Sequence, residues 1–233
     1  MRAVLVGGGL LLAQAASLLP AQQPDFADRT ADAISEFRQA LELEPNLQHG
    51  AELFALCATC HEADGCGAQD GSTPAIAGQH VSVLVKQMVD FRNDRRWNLQ
   101  MQEVASRHRL PGAQDVLDVA SYVAGLPRWP PLEGGTGDGR SLQRGASAYF
   151  RDCERCHGPL GQGELRRMRP RLAGQHYAYL VRQLNDTAAG QRPGMDAEHV
   201  RWINDLSFEE RRGVADYLSR LSPDLTSTRR REH

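Results

Sequence analysis

Residues 57–61 read Cys-Ala-Thr-Cys-His, and residues 153–157 read Cys-Glu-Arg-Cys-His. One pattern, C-x-x-C-H, thus occurs twice, 96 positions apart. Two thiols about one helical turn apart can bond the two vinyl groups of a single porphyrin, and the adjacent histidine then offers an imidazole nitrogen to the iron. This is the attachment pattern of c-type haem. A zinc site needs further Cys or His ligands at paired spacings, and a thioredoxin-like redox pair sits in a strand–turn–helix context; the sequence offers neither. Two covalently bound c-type haems are expected, held by Cys57, Cys60, Cys153 and Cys156, with His61 and His157 as iron ligands.

The repetition extends beyond the motifs. At the same offset Gly65 meets Gly161, Gly67 meets Gly163, Leu84 meets Leu180 and Leu110 meets Leu206. The heptapeptide Pro-Ala-Ile-Ala-Gly-Gln-His at 74–80 returns as Pro-Arg-Leu-Ala-Gly-Gln-His at 170–176. With one residue removed, Tyr122 meets Tyr217 and Leu126 meets Leu221. A unit of this length that recurs once is a duplicated domain and not a solenoid. The stretch Leu-Pro-Arg-Trp-Pro-Pro-Leu-Glu-Gly-Gly between the copies reads as a linker.

Each unit carries three helical patterns and no sustained alternation of period two. Short helices run into both cysteine motifs. Val81, Leu84, Val85 and Met88 form one stripe after the first Gly-Gln-His, and Tyr177, Leu180, Val181 and Leu184 form its counterpart. Val116, Val119, Ala120 and Val123 mark the last helix of the first unit; Val214, Ala215, Leu218 and Leu221 mark that of the second, with Ser207 and Glu210 as a capping box. The expected fold is all-α: two tandem domains at 47–126 and 145–222, joined by a linker at 127–144, each wrapped around a haem that supplies the apolar centre a small domain lacks.

Each iron needs a sixth ligand or stays open for chemistry. Met101 lies 40 residues after His61 and Met195 lies 38 after His157, both read as loop residues that fold back over the opposite haem face. Thioether sulfur raises the potential by favouring the ferrous state. The rivals are Met88, which reads as core, Met168, and the repeated pair His80 and His176, which stand at helix starts where polar residues cap or face water. His108 and His199 have no counterpart in the other unit.

Residues 1–21 combine Arg2, an apolar run and small residues at Ala13, Ala15 and Ala21, the pattern of a removable signal peptide. Residues 22–46 contain a predicted amphipathic helix with Ile34, Phe37 and Leu41 on one side, expected to pack on the first domain, and the Arg-rich 223–233 reads as a disordered tail. The balance of 27 basic against 29 acidic residues gives no reason to expect nucleic acid. Cys66, which does not repeat, lies five residues after His61 on the proximal side and reads as a partly buried small residue. Arg166, Arg167, Arg169 and Arg171 crowd the loop before the second Gly-Gln-His, either as a solvated surface or as positive charge beside the second haem.

These motifs together resemble the dihaem class I cytochromes c of the cytochrome c4 family, over about residues 47–222. The resemblance implies that Pro74 and Pro170, each 13 residues after its histidine, offer their carbonyls to the second ring nitrogen of that histidine. It also implies one-electron transfer in the periplasm between redox-partner proteins such as a membrane oxidase, a reductase complex or a dehydrogenase; peripheral association with a membrane is compatible with it. The alternatives are the cytochrome subunit of a periplasmic oxidoreductase, for example a flavocytochrome sulfide dehydrogenase, and a dihaem enzyme of the peroxidase or thiosulfate dehydrogenase type. Three departures stand out. Glu62 follows the first motif where glycine is usual, the spacing of the two methionine segments differs by two residues, and the first unit carries one additional residue between Leu110 and Tyr122.

Overall fold

The computed structural model describes residues 26–128 and 135–222. The expected signal peptide (1–21), the centre of the linker and the tail (223–233) lie outside the described residues. Every regular element among the described residues is helical, apart from one isolated bridge between Glu164 and Arg169.

In the first unit, α1 (Phe26–Glu42) precedes α2 (Leu47–His61), α3 (Val81–Arg92), α4 (Leu99–Val104) and α5 (Ala113–Gly125). In the second, α6 (Leu142–Ala148) runs into a π-helical turn (Tyr149–Cys153) and α7 (Glu154–His157), followed by α8 (Tyr177–Ala188), α9 (Ala197–Asp205) and α10 (Phe208–Arg220). Helix α6 begins inside the segment expected to be linker. Each unit has its own apolar cluster, built on Phe54, Val85, Val116 and Val119 in one and on Tyr149, Leu180, Val214 and Leu218 in the other.

The crossing of the motif helix on the last helix organises each unit. α2 packs across α5, and α6 across α10. Both crossings put a glycine where backbone meets backbone. A Cβ on Gly50 would lie 2.2 Å from the Asp118 carbonyl oxygen, and one on Gly145 would lie 1.9 Å from the Gly213 carbonyl. An aromatic pair locks each crossing one turn further on: Phe54 with Tyr122, and Tyr149 with Tyr217, both at 5.4 Å between ring centres. Gly50 stands seven residues before Cys57, but Gly145 stands eight before Cys153. The π-turn absorbs the additional residue, since a single π-turn inserts one position into a helix without moving its ends. Both glycine and cysteine therefore keep their places.

Three expectations need correcting. Helix α1 does pack on α3 and α5, and Phe37 packs against the first core, but Ile34 and Leu41 remain 44% and 43% exposed, and the buried residues are Ala33, Glu36 and Ala40. The reason is electrostatic: Glu36 pairs with Arg92, whose side chain is 1% exposed, and with Arg107 at 3.0 Å, while Arg29 reaches Asp94 at 2.6 Å. A buried guanidinium must be partnered, so the helix turns its acidic residue inward. Second, Met101 lies in helix α4, not in a loop; Asn98 caps that helix by accepting the Met101 backbone N–H. Third, His80 and His176 make no capping bond, and His176 is buried. Both rings cross to the other unit. His80 Nε2 lies 3.0 Å from the Gln162 carbonyl, and His176 Nε2 lies 2.7 Å from the Cys66 carbonyl.

Candidate functional site

Both motif histidines end a helix and are buried, each 7% exposed. The helix places the two cysteines of each motif on adjacent turns of one face, with the histidine immediately beyond. The chain then leaves the helix through a residue at positive φ: Glu62 at 62° and Gly158 at 77°. It returns along a loop to the proline, whose carbonyl faces the imidazole. His61 Nδ1 is 2.9 Å from the Pro74 carbonyl oxygen, and His157 Nδ1 is 3.1 Å from that of Pro170. With Nδ1–H donating to a carbonyl, the ring is fixed in the tautomer whose Nε2 lone pair is free to bind metal. Burial depresses both imidazole pKa values, that of His157 to about 4, so each ring is neutral near pH 7.

The four motif cysteines are free thiols. Burial pushes Cys57 up to about 11 and Cys153 up to about 12. No group of three or more His, Cys, Asp or Glu among the described residues is placed to hold a metal ion, whereas a structural zinc site takes four protein ligands. The donor set of each unit is two thiols and one neutral imidazole beside an apolar wall, which fits a porphyrin and not a bare ion.

A second observation fits the same group. Arg128 is 6% exposed and sits against Gly78. Its Nη1 approaches the Ala77 carbonyl at 3.3 Å, but Nε and Nη2 are buried without a hydrogen-bond partner. Burial, with Arg171 nearby, lowers its pKa to about 10. Leaving a buried guanidinium with unpartnered N–H groups costs on the order of several kcal/mol. A haem brings two carboxylates of the charge required.

The sixth-ligand candidates are placed less symmetrically. Met101 is half-buried on α4. Met195 is half-buried in the segment before α9, and its Sδ lies 3.1 Å from His199 Nδ1. The His199 ring stands 6.2 Å from that of His157, centre to centre. His199 has no counterpart in the first unit; the one sequence feature near it is Asp196, which caps α9 by accepting the His199 backbone N–H. Of the other rivals, Met88 packs against the first core, Met168 is 38% exposed, and His80 and His176 are spent on the opposite unit. Arg166 and Arg167 are exposed, and Arg167 lies 3.6 Å from Glu164. Cys66 is half-buried.

Comparison with known proteins places each unit separately. Residues 47–127 match the family described as Cytochrome c, and residues 140–218 match that described as Cytochrome C oxidase, cbb3-type, subunit III. A cytochrome c4 of Thiocapsa roseopersicina is 33% identical over 187 residues, covering 74% of this chain and 90% of that protein. A thiosulfate dehydrogenase electron acceptor of Stutzerimonas stutzeri is 33% identical over 186 residues, covering 77% and 85%. The reduced crystal structure of a cytochrome c4 from Pseudomonas stutzeri superposes with a TM-score of 0.66 at 27% identity, covering 76% of this chain and all of that one.

Proposed function

Since this chain belongs to the cytochrome c4 family and is an electron-transfer protein with two covalent c-type haems, we propose that each of the two units, 47–126 and 145–222, holds one haem with its own residues. Cys57, Cys60 and His61 serve the first and Cys153, Cys156 and His157 the second, with Met101 and Met195 as sixth ligands. The observation that carries this reading is the pair of histidine–proline hydrogen bonds, 2.9 and 3.1 Å, at the same 13-residue spacing in two units whose four motif cysteines form no disulfide.

Bound haem supplies one reversible Fe(III)/Fe(II) couple per unit. The chain's own residues do the rest. The thiols fix the porphyrin, the prolines orient the imidazoles and raise their basicity, the apolar clusters keep water out, and Arg128 compensates carboxylate charge. The site of work is the periplasm, reached by a signal peptide at 1–21 removed on export. No helix among the described residues is long and apolar enough to cross a membrane. Partners are redox proteins: an oxidase or reductase complex on one side and a dehydrogenase on the other.

Two narrower readings have specific observations behind them. One is service to a sulfur-oxidising dehydrogenase, favoured by the relative that is a thiosulfate dehydrogenase electron acceptor; gel filtration of the native protein with its bound neighbours tests it. The other concerns the second haem, where His199 Nδ1 lies 3.1 Å from Met195 Sδ and the His199 ring stands 6.2 Å from that of His157. In the oxidised protein, Met195→Leu removes the weak red-edge iron–sulfur band of one haem if the methionine binds; His199→Gln alters the low-spin spectrum if the histidine does. Carbon monoxide tests the carrier reading as a whole. Reduced protein with two six-coordinate irons binds it slowly, and rapid stoichiometric binding at either haem contradicts the proposal.

A further inference from the structure

The repeated Gly-Gln-His has a use that neither haem alone requires. Gln79 and Gln175 are 8% and 5% exposed and lie where the two units meet. The carboxamide of Gln175, in the second unit, closes on one residue of the first. Ala75 N–H donates to Gln175 Oε1 at 2.9 Å, and Gln175 Nε2 donates to the Ala75 carbonyl at 2.7 Å. The reciprocal pair is equally complete: Arg171 N–H donates to Gln79 Oε1 at 2.9 Å, and Gln79 Nε2 donates to the Arg171 carbonyl at 2.9 Å. Each Oε1 also accepts the next backbone N–H of its own chain segment, His176 and His80 respectively, at 3.0 Å. An atom that accepts two N–H groups can only be the oxygen, so the network itself fixes the orientation of both amides.

The residues gripped are the ones that follow Pro74 and Pro170. The N–H of Ala75 and the carbonyl of Pro74 belong to a single peptide group. That group accepts the His61 ring proton on one side and donates to Gln175 on the other. His157, Pro170, Arg171 and Gln79 form the same chain in the opposite sense. Hydrogen bonds in series through a planar peptide polarise one another, so a good acceptor at the N–H end makes the carbonyl a better acceptor at the other. A better acceptor beside Nδ1 makes the imidazole a more electron-rich ligand.

We infer that Gln79 and Gln175 are positioning residues acting in trans: each unit sets the strength of the other unit's proximal histidine hydrogen bond, and through it the other haem's potential. The inference rests on the proposal that His61 and His157 are the iron ligands. It also explains why the repeat is conserved between the halves of this chain down to the glutamine. Each half grips the other in the same way, by a local two-fold relation. His80 on the Gln162 carbonyl and His176 on the Cys66 carbonyl hold the same two loops at a second point.

The sign follows from the chemistry. Loss of Gln175 weakens the acceptor beside His61, leaves that imidazole less electron-rich, destabilises Fe(III) and raises the first haem's midpoint. Loss of Gln79 does the same to the second. The experiment is spectroelectrochemical titration of holoprotein carrying Gln175→Leu or Gln79→Leu. A Cys60→Ala background leaves the first haem with one thioether and a red-shifted α-band, so the two haems can be read separately. Gln175→Leu is expected to raise the reduced-to-oxidised ratio of the first haem at fixed potential by three- to tenfold (tenfold is about 59 mV for one electron), with the second haem changed by less than twofold; Gln79→Leu gives the mirror result. Equal movement of both midpoints, movement of the variant's own haem, or no movement overturns the inference. If the leucine variants do not mature, Gln175→Asn and Gln79→Asn, one methylene too short to reach, are read in the same way. Amide exchange supplies a second readout. Ala75 N–H must lose protection in the Gln175 variants and Arg171 N–H in the Gln79 variants, and unchanged protection overturns the claim. A count of two haems per chain, measured by pyridine haemochrome in each variant, separates failure here from failure of the ligand assignment.

Discussion

Replacing Gly145 by alanine sets two effects of opposite sign against each other. Gly145 is inside helix α6, where alanine is favoured over glycine by about 1 kcal/mol on propensity alone. The new Cβ, however, would stand 1.9 Å from the Gly213 carbonyl and 2.5 Å from the Val214 nitrogen. Ordinary contact begins at 3.4 Å, so α6 and α10 must separate by roughly 1.5 Å at their crossing. The obstacle is backbone, which cannot rotate away. Overpacking a well-filled site costs about 1–3 kcal/mol, and a backbone clash belongs at the top of that range. Separation also loosens the Tyr149–Tyr217 contact and the cluster around Val214 and Leu218. The net expectation is about 2 kcal/mol of destabilisation, or a fall of roughly 8–16 °C in the melting temperature of a domain this small. Scanning calorimetry of the holoprotein measures it. Gly125→Ala, at the last position of α5, is the control: a Cβ there meets no neighbouring element, and its melting temperature should not fall. A Gly145→Ala protein that melts at or above the wild-type temperature refutes the crossing argument.

Glu36→Ala should cost about 3 kcal/mol in the first unit, because it takes the carboxylate from the buried Arg92 guanidinium and leaves its charge to the Ala105 and Leu110 carbonyls; urea unfolding with a fixed m-value checks this. Glu62→Gly should stabilise by roughly 1 kcal/mol, since φ 62° with ψ 161° is a conformation that only glycine adopts without strain, and a rise in thermal midpoint reports it. Arg128→Leu should lower at least one haem midpoint, on the order of 1 kcal/mol, by removing positive charge that disfavours Fe(III); redox titration decides. The raised pKa of His49, caused first by its hydrogen bond to Asp118, means that the charged pair stabilises the fold fully below the ordinary histidine value of 6.5 and fades as pH rises through the folded value. Melting temperatures from pH 5.5 to 8.5 should therefore fall less steeply in His49→Ala than in wild type.

The parts legible in the sequence were those set by local chemistry. Cys57, Cys60 and His61 announce their spacing, and the stripe of Val116, Val119, Ala120 and Val123 announces the buried face of α5. What escaped depends on which surfaces meet. Gln79 and Gln175 repeat visibly, but nothing in a linear chain says that the repeats face each other across the two units. Ile34 and Leu41 looked like the buried side of α1 because apolar residues usually are, yet the ion pair of Glu36 with Arg92 outweighs them. Helix α9 was hidden because Val200 and Ile203 make too short a stripe to stand out, although Asp196 marks its start. The π-turn at Tyr149–Cys153 leaves one trace only, the additional residue between Gly145 and Cys153.

The central claim is that two porphyrins are joined to this chain by thioether bonds at Cys57, Cys60, Cys153 and Cys156. Mass spectrometry of the purified, acid-denatured protein tests it directly. The account predicts a chain heavier by two haems, and by one haem in a Cys57→Ala/Cys60→Ala variant. A denatured wild-type chain at the bare polypeptide mass, with the pigment extracted into acid acetone, would contradict it.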